Sequence, residues 1–267
     1  MTNKETLTIS VCNIIKNEEN QIGGFLENLR DFSDEIILID TGSSDNTLGI
    51  IKLEQEKNDK IKLFNYSSSG SFHYGLAKNF SLDKATKDYC IILDTDERLS
   101  EKFKKNIHNF LITEDPVVAS IVRKDELLPN LIDYPERIVR RNSGIRYGTD
   151  KLSMVHEQLH NNYPVKNFPE VVWHQQRWNH YVVRPQRIFQ QLELQIDRVP
   201  KTKSLFGHII RGIWYFFYRF KKIYFTRHLY KDGMIGLKYS FMRSLDAFII
   251  EFFVGLKPTK KFIFKKD

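Results

Sequence analysis

Cysteine is nearly absent: two occur in 267 residues, with eight prolines. Cys12 and Cys90 lie in apolar, strand-like segments, where a free thiol behaves as a small hydrophobe. They form no metal-ligand spacing, and they predict no disulfide framework. Long hydrophobic runs are also missing. Crossing a bilayer takes about 20 uninterrupted apolar residues, but Arg211 and Arg219 break the run around Trp214, and Asp246 and Glu251 break the one around Phe248. The segment Met1 to Glu5 lacks the apolar core of a secretory signal, which predicts a cytosolic location. There is no internal repeat or low-complexity tract. A charged fraction of 28% and an aromatic fraction of 13% exclude a disordered or collagen-like chain. What is left is one large domain, or a domain with an appendage.

Charge is unevenly placed. The chain carries 41 Lys and Arg against 33 Asp and Glu, but residues 200–267 hold 15 of the former and four of the latter, an excess of 11. The body before them is mildly acidic. The same tail holds 17 of the 35 aromatic residues. Two physical tasks are implied, with a boundary at Pro200: residues 1–199 as the mildly acidic body and residues 200–267 as a helical, basic and aromatic region.

In the body, apolar strands alternate with helical segments. Leu7 to Ile15 reads as a buried strand, followed by a polar break at Lys16 to Asn20 and a helix carrying Ile22, Phe25, Leu26 and Leu29. A second strand, Glu35 to Ile39, ends at Asp40. The turn Thr41-Gly42-Ser43-Ser44-Asp45 leads to a helix near Thr47, which Asp45 or Asn46 is able to cap. A short strand at Ile61 to Phe64, a helix over Tyr74 to Ala85 and a strand at Tyr89 to Leu93 follow. The last of these stops at Asp94-Thr95-Asp96-Glu97. This alternation predicts an α/β fold with parallel strands at the sheet centre, where ligands bind beyond the carboxyl ends of the strands. Lys16 to Glu19, Asp40 to Asp45 and Asp94 to Glu97 all fall there.

Each cluster has a plain reading and a chemical one. Asp94 and Asp96 are either an acidic approach to a helix starting at Ser100 or hard oxygen ligands for Mg²⁺ or Mn²⁺. Asp40 to Asp45 is an ordinary turn or a turn approaching a nucleotide, with Asp40 bonded to base or ribose. Lys78 is a solvated helix lysine or a cation for a diphosphate.

Taken in order, Ser10-Val11-Cys12-Asn13-Ile14-Ile15-Lys16-Asn17-Glu18-Glu19, Asp40 to Thr47, Ala77-Lys78-Asn79-Phe80 and Leu93 to Glu97 resemble the family 2 glycosyltransferases of GT-A fold. Arg137 to Arg141, then Val155-His156-Glu157, His174 and Lys231 to Leu237, are similar to the lipopolysaccharide-core β-1,4-glucosyltransferase branch. The resemblance implies a Rossmann-like mixed nucleotide-binding sheet with helices on both faces. It implies a UDP-sugar as co-substrate, held by Asn13, Lys16, Glu18, Asp40, Ser43, Lys78, Asn79, Asp94 and Thr95. Mn²⁺ or Mg²⁺ would sit on Asp96 and His174, and Glu157 would be the general base of an inverting transfer. The family more often has an Arg-Asn pair where this chain has Lys78-Asn79. The plain readings of Glu157 as a surface glutamate, and of His156, His160 and His174 as structural histidines, stay open.

In the tail, Phe206, Ile209, Ile210, Ile213, Phe217, Phe220 and Tyr224 share one helical stripe, and Arg211, Arg219 and Lys222 fall opposite. A helix packed on the body explains the stripe but not the excess charge. A basic amphipathic helix on an anionic membrane surface explains both, and predicts peripheral attachment at the cytoplasmic face beside a lipid-linked or glycolipid acceptor. The rivals are a nucleic-acid-binding protein with a non-catalytic α/β body, a nucleotidyltransferase and a degenerate transferase scaffold. Confinement of the basic excess to the tail argues against nucleic acid. The lack of a Gly-rich phosphate loop after the first strand argues against nucleotidyl transfer.

Overall fold

The computed structural model describes residues 7–67, 73–149, 158–175 and 204–256. The chain divides into two compact units, Met1–Lys124 with Asp133–Gln175 and Asp125–Ile132 with Gln176–Asp267. The boundary expected at Pro200 lies outside the described residues.

The first unit opens as expected, with β1 (Ile9–Ile15), α1 (Ile22–Leu29), β2 (Glu35–Asp40), α2 (Thr47–Gln55), β3 (Ile61–Asn65), α3 (Tyr74–Lys84) and β4 (Tyr89–Ile92). It continues with β5 (Glu97–Leu99), α4 (Glu101–Glu114), β6 (Val118–Asp125), β7 (Ile132–Asp133), β8 (Glu136–Arg140), β9 (Arg146–Tyr147), β10 (Leu159–His160) and β11 (Val165–His174). The sheet runs β3-β2-β1-β4-β8-β6-β11-β5. β3, β2, β1 and β4 are mutually parallel, whereas β8 is antiparallel to both β4 and β6, and β5 is antiparallel to β11.

Strand periodicity builds two cores. Ile9, Val11, Ile15, Ile36, Leu38 and Ile91 face α1 and α4 through Ile22, Phe25, Leu26, Leu29, Phe103 and Ile107. The alternate residues Cys12, Ile37, Ile39, Cys90 and Ile92 pack with Leu82 and Ala85 on the other side. Helices therefore cover both faces. Both cysteines are buried and reduced. Ser100 caps α4, its Oγ accepting from the Phe103 amide at 3.2 Å; β5 separates Asp94 and Asp96 from that helix, so the acidic run does not cap it.

The second unit holds α5 (Leu205–Phe220), a π-helical turn at Lys221–Thr226, a 3₁₀ turn at Leu229–Asp232 and α6 (Gly233–Gly255). Leu128, Leu131, Ile223, Leu229 and Tyr239 make its small apolar cluster, and Asn130 donates to Asp232 at 2.6 Å. The expected apolar stripe divides. Ile209, Phe220 and Tyr224 are half-buried, but Phe206, Ile210, Ile213 and Phe217 are exposed. Of the cations expected opposite the stripe, Arg211 and Arg219 are half-buried and Lys222 is exposed. The cause is the line of closest approach between the helices, which passes through His208 and Gly212: a Cβ on Gly212 would lie 3.0 Å from Phe248 and 3.3 Å from Glu251.

Candidate active site

Parallel pairing brings the first two polar clusters together. Ile15 pairs with Asp40 across β1 and β2, and the loops beyond them interlock. Asn17 stands in the left-handed region (φ 56°); its amide donates to Ser43 Oγ at 3.0 Å, and its Oδ1 accepts from the Ser44 amide at 2.7 Å. The Glu18 amide donates to Thr47 Oγ1 (2.7 Å), and the Glu19 amide to Asp45 Oδ2 (3.1 Å). Asp40 is buried and accepts from the amides of Gly42 and Ser43, both at 3.1 Å. The turn needs Gly42 at φ +102°, where a side chain would be strained. Lys16 stays exposed at the end of β1.

The third cluster joins them through β1. Asn13 is buried and donates to Thr95 Oγ1 at 3.3 Å. Arg98 clamps the carboxylate loop from below, donating to the Thr95 carbonyl at 2.7 Å and to Gln21 at 3.1 Å. Within the loop the two aspartates take different partners. Asp94 Oδ2 accepts from Arg137 Nη2 at 2.7 Å, and its Oδ1 is 3.6 Å from Lys78 Nζ. Asp96 Oδ2 lies 3.3 Å from His174 Nε2, because β11 runs antiparallel to β5 with His174 opposite Glu97, and the Gln175 amide donates to the Asp96 carbonyl at 2.7 Å.

Antiparallel β8 explains Arg137. Since β8 enters the sheet where β4 leaves it, its first residues arrive at the rim carrying Asp94. Arg137 also reaches Glu97 Oε1 (3.4 Å), and Arg123 reaches the same oxygen (3.0 Å) while pairing with Asp133. Burial disfavours the Asp94 carboxylate, but Arg137 and then Lys78 hold its pKa well below the ordinary carboxylate range. Burial likewise opposes the Arg137 charge, and Asp94 and Glu97 hold it firmly protonated. Lys78 is buried, 5.3 Å above the Tyr147 ring, and is not a solvated helix lysine. Asn79 spends its amide on the Tyr147 backbone, donating to the carbonyl at 3.0 Å and accepting from the amide at 2.8 Å.

A cavity of about 580 Å³ opens at this rim, lined among others by Lys78, Asp94, Arg123, Tyr134, Arg137 and Tyr147. Gln158 lines it as well; Glu157, the expected base, lies outside the described residues. Sequence reasoning gave no role to Arg123, Glu97, Tyr134 or Tyr147, and it used Arg137 only as part of a resemblance. The one available signal was charge within an apolar strand, Arg137 before Ile138-Val139.

The Asp96–His174 pair suits a divalent ion. Two donors in adjacent octahedral positions, each about 2.1 Å from one ion, are about 3.0 Å apart, close to the observed 3.3 Å. No group of three or more His, Cys, Asp or Glu is assembled among the described residues. Further ligands would therefore be phosphate oxygens or water, the usual arrangement for Mg²⁺ at a nucleotide.

Residues 10–164 match the model for glycosyl transferase family 2. The lipopolysaccharide core biosynthesis glycosyltransferase LpsC of Rhizobium meliloti (strain 1021) is 30% identical over 164 residues, covering 57% of this chain and 57% of that one. The chain thus spans little more than half of that relative. Two solved structures share the fold. S. aureus TarS 1-349 in complex with UDP-GlcNAc is 16% identical, covers 92% of this chain and 81% of its own, and has a TM-score of 0.50. The mannosyltransferase PcManGT from Pyrobaculum calidifontis, in complex with GDP-Man and Mn²⁺, is 15% identical, covers 89% and 74%, and also scores 0.50.

Proposed function

Because this chain belongs to glycosyl transferase family 2, we propose that it transfers one sugar from a UDP-sugar to a lipid-linked saccharide or glycolipid of the cell envelope, of the lipopolysaccharide-core kind, with inversion at the anomeric carbon. The observation that carries the reading is the meeting of Asp40, Asp94 and the Asp96–His174 pair at one rim. The uridine end of the donor lies over the interlocked loops bearing Lys16, Glu18, Asp40 and Ser43, and the diphosphate extends towards Lys78 and Asp96. Asp96 and His174 are the residues that would hold Mn²⁺ or Mg²⁺, which when bound neutralises charge developing on the leaving diphosphate.

The protein's own groups do the positioning. Asp94, locked as a carboxylate by Arg137, accepts from the ribose or the sugar. The cavity beyond it, with Tyr134 and Tyr147 on its lining, suits a sugar ring: aromatic faces pack on C–H groups, and charged groups bond hydroxyls. Glu157 takes the acceptor's proton as the new bond forms. Its chain neighbour Gln158 lines that cavity, which supports the assignment.

Thermal unfolding with UDP, UDP-sugars and GDP-mannose, each with and without Mn²⁺, tests the reading. Binding to the native state raises stability by mass action, about 2.7 kcal/mol at a ligand concentration 100 times Kd. UDP compounds are expected to stabilise more strongly with Mn²⁺. Indifference to every nucleotide would overturn the proposal.

A further inference from the structure

The helical hairpin of the second unit buries charged and polar side chains beside Ile223, Leu229, Ile250 and Val254, and leaves many large apolar side chains exposed. Between α5 and α6, buried Glu251 receives both Nε and Nη2 of Arg211 (2.9 and 2.8 Å) and faces His208 Nδ1 at 3.2 Å. Ser240 and Ser244 are buried and return their hydroxyls to carbonyls one turn back. Arg243 pairs with Asp246 at 3.2 Å. Burial and the neighbouring Arg243 push the Arg219 pKa down. Large apolar side chains lie open on its surface: Phe206 is 70% exposed, Trp214 57%, Phe217 63% and Met234 64%, and Ile210, Phe225 and Phe241 are exposed as well. Water-soluble helix pairs bury the apolar stripe and expose the charge. This pair departs from that order, with Glu251, Ser240 and Ser244 buried while Trp214, Phe217 and Met234 are exposed.

Cations gather at the turn end of the hairpin. Lys221, Lys222, Arg227, Lys231 and Lys238 are all exposed there. From Phe217 to Arg243 the sole carboxylate is Asp232, which is half-buried and takes the Asn130 amide. No helix among the described residues is long and apolar enough to cross a membrane.

We propose that the turn end of this hairpin docks on an anionic bilayer surface, with Trp214, Phe217, Phe225, Met234 and Phe241 seated among the headgroups and upper acyl chains, and Lys221, Lys222, Arg227, Lys231 and Lys238 at the phosphates. Aromatic and aliphatic side chains flanked by Lys and Arg suit an interface that is apolar below and negatively charged above. The same charge pattern disfavours a second copy of this chain, which would bring five cations against five. The docking is independent of the sugar-transfer reading, since it involves none of the residues at the sheet rim.

The test is sedimentation of the full chain with vesicles of phosphatidylcholine, with and without 30% phosphatidylglycerol, at 50 and 500 mM salt, alongside Trp fluorescence with brominated lipids. Expected are binding that needs the anionic lipid and weakens with salt, and quenching that Trp214→Phe removes. Each juxtamembrane cation contributes about 1 kcal/mol, so Lys221→Gln with Lys222→Gln is expected to weaken binding about 25-fold. Trp214→Ser with Phe217→Ser should weaken it at least tenfold, with circular dichroism and UDP-dependent thermal shift unchanged to show that the fold survives. The proposal fails if wild-type protein ignores anionic vesicles at low salt, or if binding occurs without quenching at Trp214. It also fails if the exposed stripe instead mediates a concentration-dependent dimer that Trp214→Ser dissolves.

Discussion

Arg137 Nη2 and Asp94 Oδ2 are 2.7 Å apart at the junction of an antiparallel strand with a parallel one. The same guanidinium leans on buried Glu97, so one cation serves two carboxylates. Removing one member of a buried ion pair typically costs about 3–5 kcal/mol. Arg137→Met is therefore expected to lower stability by that order and to weaken UDP-sugar binding. Arg137→Lys should recover part of the stability, since a point charge replaces a fork. In a double-mutant cycle, Arg137→Met with Asp94→Asn should cost less than the sum of the singles. Additive losses measured by urea unfolding would show that the two side chains act separately.

Asp96 and His174 should fail together. Asp96→Asn or His174→Ala is expected to leave UDP alone able to stabilise the protein, while abolishing the extra stabilisation brought by Mn²⁺. Chelation with EDTA should mimic either variant. Paired thermal-shift titrations check this, and a retained Mn²⁺ increment in both variants would move the ion elsewhere.

Glu157→Gln keeps size and polarity while removing the basic carboxylate. UDP-sugar binding by calorimetry is expected to match wild type, and transfer to the acceptor to fall by about 10²–10⁴. Turnover near the wild-type rate would strike Glu157 from the mechanism.

Glu35 supplies an acid-sensitive part of the fold. Its side chain is buried, and burial alone would raise its pKa. Hydrogen bonds from Lys62 (2.5 Å), Ser10 (2.7 Å) and Thr86 prevail and lower it to about 2. A depressed carboxylate stabilises the fold above its unfolded pKa, near 4.5, and loses that contribution as pH falls towards the folded value near 2. The full contribution is on the order of 3 kcal/mol. Glu35→Gln should thus lower stability at pH 7 and flatten the stability–pH curve between about 4.5 and 2, as read by chemical denaturation across that window.

Gly75 opens α3 against the chain that carries Tyr147. A Cβ there would overlap the Gly148 carbonyl, which is backbone and has little freedom to yield, and would meet the His73 ring at 3.1 Å. Gly75→Ala should cost about 1–3 kcal/mol as overpacking, despite the better helix propensity of alanine. A gain in melting temperature would show that the loop gives way.

Much of the site was legible because it lies in the local part of the fold. Strand β1, strand β2 and strand β4 announce themselves as β-branched runs that stop at polar clusters, and parallel βαβ connection then brings their carboxyl ends together with few alternatives. Asp40, Asp94 and Asp96 could be named on that basis. Of their partners, His174 could be named beside Asp96 only through the family resemblance, and neither Arg137 nor Arg123 could be named as a partner. Arg137, Arg123 and His174 come from β8, β6 and β11, beyond the regular alternation, and whether a charge there meets Asp94 depends on strand direction and on the irregular register between Ala119 and Ser120. Lys78 illustrates the same gap. On a helical wheel it is one lysine among many, and only the approach of Tyr147 and Asp94 buries it.

Along the chain, the amino-acid order by itself determined the alternating α/β body, the capping of α4 by Ser100, the three polar rim clusters and the basic, aromatic character of residues 200–267. These follow from side-chain period, backbone preference and composition, which act over a few neighbours. Tertiary structure alone decided that Asp94 turns to Arg137 while Asp96 turns to His174, and that the apolar stripe of α5 divides between half-buried and exposed positions. Both outcomes depend on distant segments competing for the same space and the same charges, a competition that no local pattern records.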